Sequence, residues 1–387
     1  MRILMIAPQP FFEPRGAPLC VYQHIKALLA LGYEVDLVTY PFGNQVQLPN
    51  LTIYRAPALP FIHGVKPGLS LAKFPLDLLV FFTALSRLCL RRYRYLHTHE
   101  EAALMGILLA ALFGCKHLYY MHCNLAQVVS ERPFIMRCVQ IVQRMMVRGA
   151  DAVVAFYPEI ALTARRMAPG KPVYIVTPPA VDEEVQPALE QEIIQMQQLW
   201  NLGEGPVLLY TGTLEAYQGL DILLRSVADV RKVFPNATYL IVGGKPEQVK
   251  HFRYLARKLG VANEVRFTGQ RPLEEMPHYM ALATILLSPR SKGTHTPLKL
   301  YTYLRSGKPI LATNILSHTQ VLTSEIAMLV PPTPQGLAEG VLELLLHPRQ
   351  AQALGECGQR FAEEHYSWPM FLEKNRQLHD AFAPLAG

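Results

Sequence analysis

The chain has 387 residues, half of them apolar and 17% charged, which is too long for one ordinary domain, fits two, and excludes a disordered chain. Lys and Arg outnumber Asp and Glu by 37 to 30, but the excess lies within residues 1–178, with 18 basic against 9 acidic side chains, and the remainder holds 19 against 21. Six cysteines without a CxxC pair or a paired framework predict reduced thiols in a cytoplasmic protein.

The opening MRILMIAPQP has too short an apolar run for a signal peptide and reads as a strand over residues 2–7. A loop at 8–17 leads to a helix over 18–31, where Val21, Ile25, Leu28 and Leu29 recur at helical spacing. Strands are predicted at 35–39 and 51–55. Residues 74–90 and 102–115 are apolar, but Asp77 and Arg87 interrupt the first and the second is too short to cross a bilayer. Both read as helices buried in protein or lying on a surface. Arg87, Arg91, Arg92 and Arg94 follow closely, so residues 74–94 keep two readings. One is a helix resting on an anionic membrane; the other is a core helix whose end is solvated by arginines that suit its C-terminus. Strands return at 94–98, 117–121, 151–156 and 173–177.

The pattern then restarts. Pro178-Pro179-Ala180-Val181-Asp182 reads as a link and residues 183–204 as a helical approach. A strand at 206–211 ends in the turn Gly212-Thr213-Leu214, and a helix covers 219–233. Strands recur at 238–242, 265–268, 283–288, 309–313 and 326–330, and a helix over 369–382 closes the chain. Strands alternating with helices predict an α/β fold with parallel, doubly wound sheets. The expected division is 1–178, 179–365, and a C-terminal helical segment, 366–387, that packs back on the first domain. Ligands of such sheets sit beyond the carboxyl ends of the strands, and two sheets facing each other across a cleft would give one site with a wall from each.

Several residues could carry chemistry. The loop at 8–17 joins a strand to a helix through Gly16 and Ala17, a junction that presents N–H groups to an anion. His97 and His99 with Glu100 and Glu101 suggest a metal site, but no third ligand stands at suitable spacing, and they read as structural or supporting residues. His122 follows a strand, a place where a histidine is commonly a satisfied structural residue. The densest chemistry is in residues 288–313, SPRSKGTHTPLKLYTYLRSGKPILAT. Between a strand and a helix this segment concentrates Arg290, Ser291, Lys292, Thr294, His295, Thr296 and Lys299. Cations, hydroxyls and free N–H groups at a helix start suit a diphosphate, where the plainer reading is a solvated polar loop.

The run from Lys299 to Ile310, KLYTYLRSGKPI, resembles the donor-binding helix of glycosyltransferase family 4, the glycosyl transferases group 1. Leu208–Leu214 with Gln218-Gly219-Leu220-Asp221, Leu240–Gly244, Phe267-Thr268-Gly269 and Pro179–Asp182 resemble other segments of that family, in the same order. In the first half Gly16-Ala17, His97/His99 and Met121-His122 fall where the family has a glycine loop and two histidine-bearing strand ends.

The resemblance implies the GT-B fold: two facing doubly wound Rossmann-like domains with a C-terminal helix, the first taking the acceptor and the second the donor. It implies a retaining, metal-independent transfer from a nucleotide-diphosphate sugar, a substrate rather than a cofactor, with the leaving phosphate helping to deprotonate the acceptor. Catalytic roles are implied for His122, Lys299 and Arg290. Donor contacts are implied for Gly16, Ala17, Gly212, Thr213, Gln218, Gly219, Gly269, Lys292, Gly293, Thr294, His295, Thr296, Pro297, Leu298, Leu300 and Thr302. The chain departs from the family at four positions: Thr294 and Thr302 stand where it has acids, and Thr213 and Gln218 where it has bases. Phosphate neutralisation then rests on Arg290, Lys292 or Lys299.

The basic first half and residues 74–94 point to a lipid-linked or polysaccharide acceptor and a cytoplasmic protein peripheral to the inner face of the membrane. The rival reading is a catalytically degenerate GT-B subunit that binds a sugar nucleotide or a partner enzyme. A dinucleotide-dependent dehydrogenase is disfavoured because neither half has GxGxxG at its first strand–helix turn, and nucleic-acid binding because the basic residues form no aromatic-interleaved stripe.

Overall fold

The computed structural model describes residues 1–13, 16–65, 73–125, 133–179 and 189–382. Pro14 and Arg15 of the first loop, Ala180, Val181 and Asp182 of the link, and residues 183–188 and 383–387 lie outside them. The chain divides into two compact units, Met1–Pro178 with Trp368–Gly387, and Pro179–Ser367.

In the first unit β1 (Arg2–Ala7) leads to α1 (Gly16–Ala30), β2 (Glu34–Thr39) and β3 (Leu51–Arg55). Then come α2 (Lys73–Leu90), β4 (Tyr95–His99), α3 (Ala102–Phe113) and β5 (Lys116–Met121). The unit continues through α4 (Pro133–Gly149), β6 (Ala152–Ala155), α5 (Pro158–Met167) and β7 (Val173–Ile175). These strands pair in parallel in the order β3-β2-β1-β4-β5-β6-β7. The unbroken apolar run of residues 3–7 suits a central parallel strand, which is buried on both faces.

The two apolar helices each bury one face. On α2, Leu76, Val80, Ala84 and Leu88 are buried one turn apart, while Phe74, Leu78 and Phe82 are exposed. On α3, Leu104, Leu108 and Leu112 are exposed at the same spacing. Asp77 turns inward from α2, where its carboxylate accepts the Tyr40 hydroxyl at 2.6 Å. Among the described residues no helix is long and apolar enough to cross a membrane.

The second unit runs through α6 (Glu190–Leu199), β8 (Val207–Thr211), α7 (Leu220–Val233), β9 (Thr238–Val242) and α8 (Pro246–Lys258). It continues with β10 (Val265–Gly269), α9 (Met276–Leu282), β11 (Ile285–Ser288), α10 (Lys299–Arg305) and β12 (Ile310–Thr313). It ends with α11 (Leu316–Thr319), β13 (Met328–Val330), α12 (Pro334–Leu346) and α13 (Pro348–Tyr366). Its parallel order is β10-β9-β8-β11-β12-β13. Side chains alternate along β8: Leu208 and Tyr210 enter a core shared with α7, α8 and α12, and Leu209 enters another shared with α9 and α10. The helical approach expected to reach residue 204 stops at Leu199, because Asn201 takes a left-handed conformation with φ 47°.

The last helix, α14 (Trp368–Asp380), belongs to the first unit and packs on α1, with Lys26 over the Trp368 ring at 5.4 Å. The His379 ring lies 5.0 Å from that of Tyr33.

One close approach sets the position of α10. A Cβ on Gly355 of α13 would stand 2.2 Å from the Gly307 carbonyl oxygen, two residues beyond α10. Alanine is the better helix former by about 1 kcal/mol, but overpacking of this kind costs about 1–3 kcal/mol. Gly355→Ala is therefore expected to lower the thermal midpoint. A midpoint that rises would show that the two backbones are not in contact.

Candidate functional site

In the second unit the strand order reverses between β8 and β11, which opens a crevice at their carboxyl ends. Residues 212–219 leave β8 there, and residues 289–298 leave β11. The two loops are joined: the Ser291 N–H donates to the Tyr217 carbonyl at 3.0 Å. Gly219 has φ 74° and lies so close to Pro289 that a Cβ would stand 1.9 Å from its oxygen. Glycine alone fits both requirements.

Lys299 opens α10. Its ammonium donates to the Thr211 carbonyl at 3.2 Å and sits 3.8 Å from the centroid of the Tyr210 ring and 5.6 Å from that of Tyr303. Tyr303 follows one turn along α10, and its hydroxyl accepts the Thr211 N–H at 2.9 Å. The Tyr210 hydroxyl donates to the Thr213 carbonyl at 2.6 Å, which fixes the second ring. Arg290, 8% exposed, covers the Tyr217 ring at 4.9 Å and donates to the His295 carbonyl.

The electrostatics follow from these positions. Lys299 is half-buried, and its ammonium lies against the Thr211 carbonyl and the Tyr210 ring. Burial first, and the Arg290 charge second, hold the Lys299 pKa well below that of an ordinary lysine, and no acid among the described residues offsets them. Burial and then Arg290 likewise lower His295. His318 is pushed down to about 4 by burial, with Lys299 and Arg290 adding to the effect. Buried polar atoms without a partner among the described residues, His295 Nε2, Thr296 Oγ1 and Gln218 Oε1, lie in the same two loops. Lys299 carries a charge that no acid among the described residues offsets, and the Thr296 hydroxyl and His295 ring of the adjoining loop can each donate, which suits an anion, whereas the Gln218 amide oxygen can only accept.

The remaining predicted residues of this unit are placed as follows. Gly212 and Thr213 are exposed, and the Gln218 amide donates to the Thr213 hydroxyl at 3.4 Å, so the two neutral replacements touch. Gly269 ends the edge strand β10 and reaches Gly212 indirectly: the Gly243 N–H donates to the Gly269 carbonyl, and the Gly212 N–H to the Val242 carbonyl. Lys292 and Gly293 are exposed on the loop, and the Thr294 carbonyl accepts the Gln320 amide at 2.6 Å. Pro297 and Leu298 lead into α10, Leu298 packing against the core. Thr302, buried, stands one turn on from Lys299. The Leu300 side chain is wholly buried in the core, and its N–H donates to the Pro297 carbonyl at 3.0 Å.

In the first unit the order reverses between β1 and β4. Gly16 is exposed at the start of α1, followed by Ala17. His122 lies just past β5, edge-on to Phe156 at 4.4 Å, with Nε2 at 2.8 Å from His99 Nδ1. His97 lies 3.4 Å from His24, and burial first lowers the pKa of His24, His97 and His99. Among the described residues no group of three or more His, Cys, Asp or Glu is arranged to hold a metal.

Tyr210, Tyr217, Tyr303 and His318 went unread as site residues in the sequence. For Tyr303 a signal exists: four residues from Lys299 on a helix puts it on the same face.

Two family models match the chain: glycosyl transferases group 1 over residues 192–361, and the glycosyl transferase 4-like domain over residues 15–180. A GDP-mannose-dependent alpha-(1-6)-phosphatidylinositol monomannoside mannosyltransferase of Mycolicibacterium smegmatis is 29% identical over 49% of this chain and 52% of its own length. The chain thus spans about half the length of such relatives. A D-inositol 3-phosphate glycosyltransferase of Corynebacterium diphtheriae is 24% identical over 100% of this chain and 96% of its own. Among solved structures, sucrose-phosphate synthase from Thermosynechococcus elongatus has a TM-score of 0.81 at 20% identity, covering 98% of each chain. Anabaena HepE in complex with UDP has a TM-score of 0.77 at 17% identity, covering 100% of each. At those identities the likeness concerns the fold, which is GT-B. With a matching model in each half, the chain belongs to the GT-B glycosyltransferases of the group 1, family 4-like kind.

Proposed function

We propose that the protein is a retaining, metal-independent glycosyltransferase that holds a nucleotide-diphosphate sugar in the second unit and passes the sugar to an acceptor taken by the first. The observation that carries this reading is the pair Lys299 and Arg290, close enough to depress the lysine pKa, at the carboxyl ends of β8 and β11 with no acid among the described residues offsetting Lys299. A diphosphate supplies the missing charge. The mannosyltransferase relative is named for GDP-mannose, and the HepE structure holds UDP.

On this reading the bond between the anomeric carbon and the diphosphate oxygen breaks, and the acceptor oxygen bonds to that carbon on the same face. The acceptor proton passes to a phosphate oxygen of the leaving group. Negative charge grows on the diphosphate as the bond breaks, so fixed cations stabilise the transition state more than the ground state. Lys299 and Arg290 would fill that role in place of a metal ion, and His122 would contact the sugar or its phosphate. The second reading, a subunit that binds a sugar nucleotide without turnover, is favoured by Thr213 and Gln218, which touch each other and bring no charge.

The acceptor is proposed to be membrane-borne. Support comes from the exposed Phe74, Leu78 and Phe82 of α2, the arginines that follow them, and the phosphatidylinositol in the name of the mannosyltransferase relative. The protein would then be cytoplasmic and peripheral. Flotation with phosphatidylglycerol-containing liposomes at low salt is expected to carry the wild type, and Phe74→Ser with Phe82→Ser is expected to stay behind. Wild type left at the bottom of the gradient would end this part of the reading.

Lys299→Met is expected to abolish transfer and any stabilisation by UDP, GDP or ADP. It should also raise the midpoint of the free protein, because it removes a poorly solvated charge. A gain of about 1 kcal/mol corresponds to roughly 2–4 °C in a domain of this size. Full transfer activity in the variant would refute the site assignment. Binding without transfer in the wild type, over a donor panel, would favour the second reading.

The pH dependence has a fixed sign. Lys299 is depressed in the free protein, and a bound diphosphate favours its charged form, so binding takes up a proton above the free-state value. Nucleotide affinity is expected to fall as pH rises through that value, below the range of an ordinary lysine, by at most about tenfold per pH unit. Calorimetry in two buffers of different ionisation enthalpy measures the uptake.

A further inference from the structure

We propose that His318 is a positioning residue for the donor loop, its imidazole bridging the ends of β11 and β12 and so fixing the backbone that carries Arg290. The inference rests on the donor-site reading above and adds to it a part that touches no substrate.

His318 is fully buried on α11. Its Nδ1 lies 2.7 Å from the Thr313 carbonyl oxygen, and its Nε2 lies 2.9 Å from Ser288 Oγ. A carbonyl can only accept, so Nδ1 carries the hydrogen and the bare Nε2 accepts from the Ser288 hydroxyl. Ser288 ends β11 and Thr313 ends β12, so the ring clamps two neighbouring strands where the loops begin. The Thr313 hydroxyl then donates to the Arg290 carbonyl at 2.5 Å.

The same short segment reaches the loop a second time, through the Gln320 amide on the Thr294 carbonyl at 2.6 Å. On its other side the loop is tied by the Ser291 N–H to Tyr217. Residues 290–294 are thus held from both flanks. A neutral ring suits the place, since burial and the nearby Lys299 and Arg290 charges oppose a third cation. Oriented cations act on a developing charge only if their position is set beforehand, and a loop shift of about 1 Å is enough to lose much of the effect.

The test is calorimetric titration with UDP, GDP and ADP, in which the affinity reports loop position and the stoichiometry reports the folded fraction. Ser288→Ala removes the bond to Nε2, and Thr313→Val removes the donation to Arg290 together with a 3.1 Å contact to His318 Nδ1, each with little change of shape. His318→Asn keeps a donor for the Thr313 carbonyl and loses the Ser288 contact. Each is expected to weaken the nucleotide that the wild type binds by about fivefold, the usual worth of one hydrogen bond, at unchanged stoichiometry. Ser288→Ala combined with His318→Asn should bind no more weakly than His318→Asn alone, since both break the same bond. Unchanged affinity, or a loss confined to the stoichiometry, would overturn the inference and leave the donor site standing. A wild type that binds none of the three nucleotides would overturn both.

Discussion

Lys299 is an ammonium held by one carbonyl oxygen and two aromatic faces, with a second cation close by and no acid among the described residues to offset it. Cation–π contacts recover up to about 2 kcal/mol each when desolvated, and burying a cation costs several. The free protein therefore keeps an electrostatic deficit at this point. Much of the surrounding architecture keeps that deficit from relaxing. Tyr210 and Tyr303 are pinned through their hydroxyls, Gly219 lets the β8 loop lie on the β11 loop, and Gly355 lets α13 press on the turn beyond α10. A lysine free to swing into water would hold no such charge in place.

The parts of this arrangement that follow local rules were legible in the sequence. Apolar runs bounded by turn residues gave the strands of both sheets, and the crowding of cations and hydroxyls between residues 290 and 299 marked the loop after β11. What was illegible depends on which strand ends meet. Tyr217 and Ser291 lie far apart in sequence and touch because β8 and β11 are neighbours. His318 becomes informative once β12 is known to lie beside β11. Leu300 follows Lys299, and one residue along a helix turns the side chain by about 100°, which carries it from the Lys299 face into the core.

The first unit handles polar groups at its strand ends by the opposite means. His24 and His97 pair on one side of β4, His99 and His122 at its carboxyl end, and His99 stacks on Tyr120 at 4.8 Å. Burial keeps the first, second and third of these rings neutral, and a neutral imidazole can donate at one nitrogen and accept at the other. These three rings supply directional hydrogen bonds without charge. His99 is the ring that meets His122 at the strand end, while His97 meets His24.

The four neutral positions make sense as a set. Thr302 stands one turn from Lys299, where an acid would lie about 5–6 Å away and offset it. Thr213 and Gln218 belong to the loop tied to the one bearing Arg290, where two further cations would depress Lys299 more. Removing the acids alone would strand the bases, and removing the bases alone would leave the acids repelling a diphosphate. Losing both kinds together keeps the local charge balance and concentrates it on Lys299 and Arg290. On the proposed reading, neutralisation of the diphosphate then falls to these two side chains.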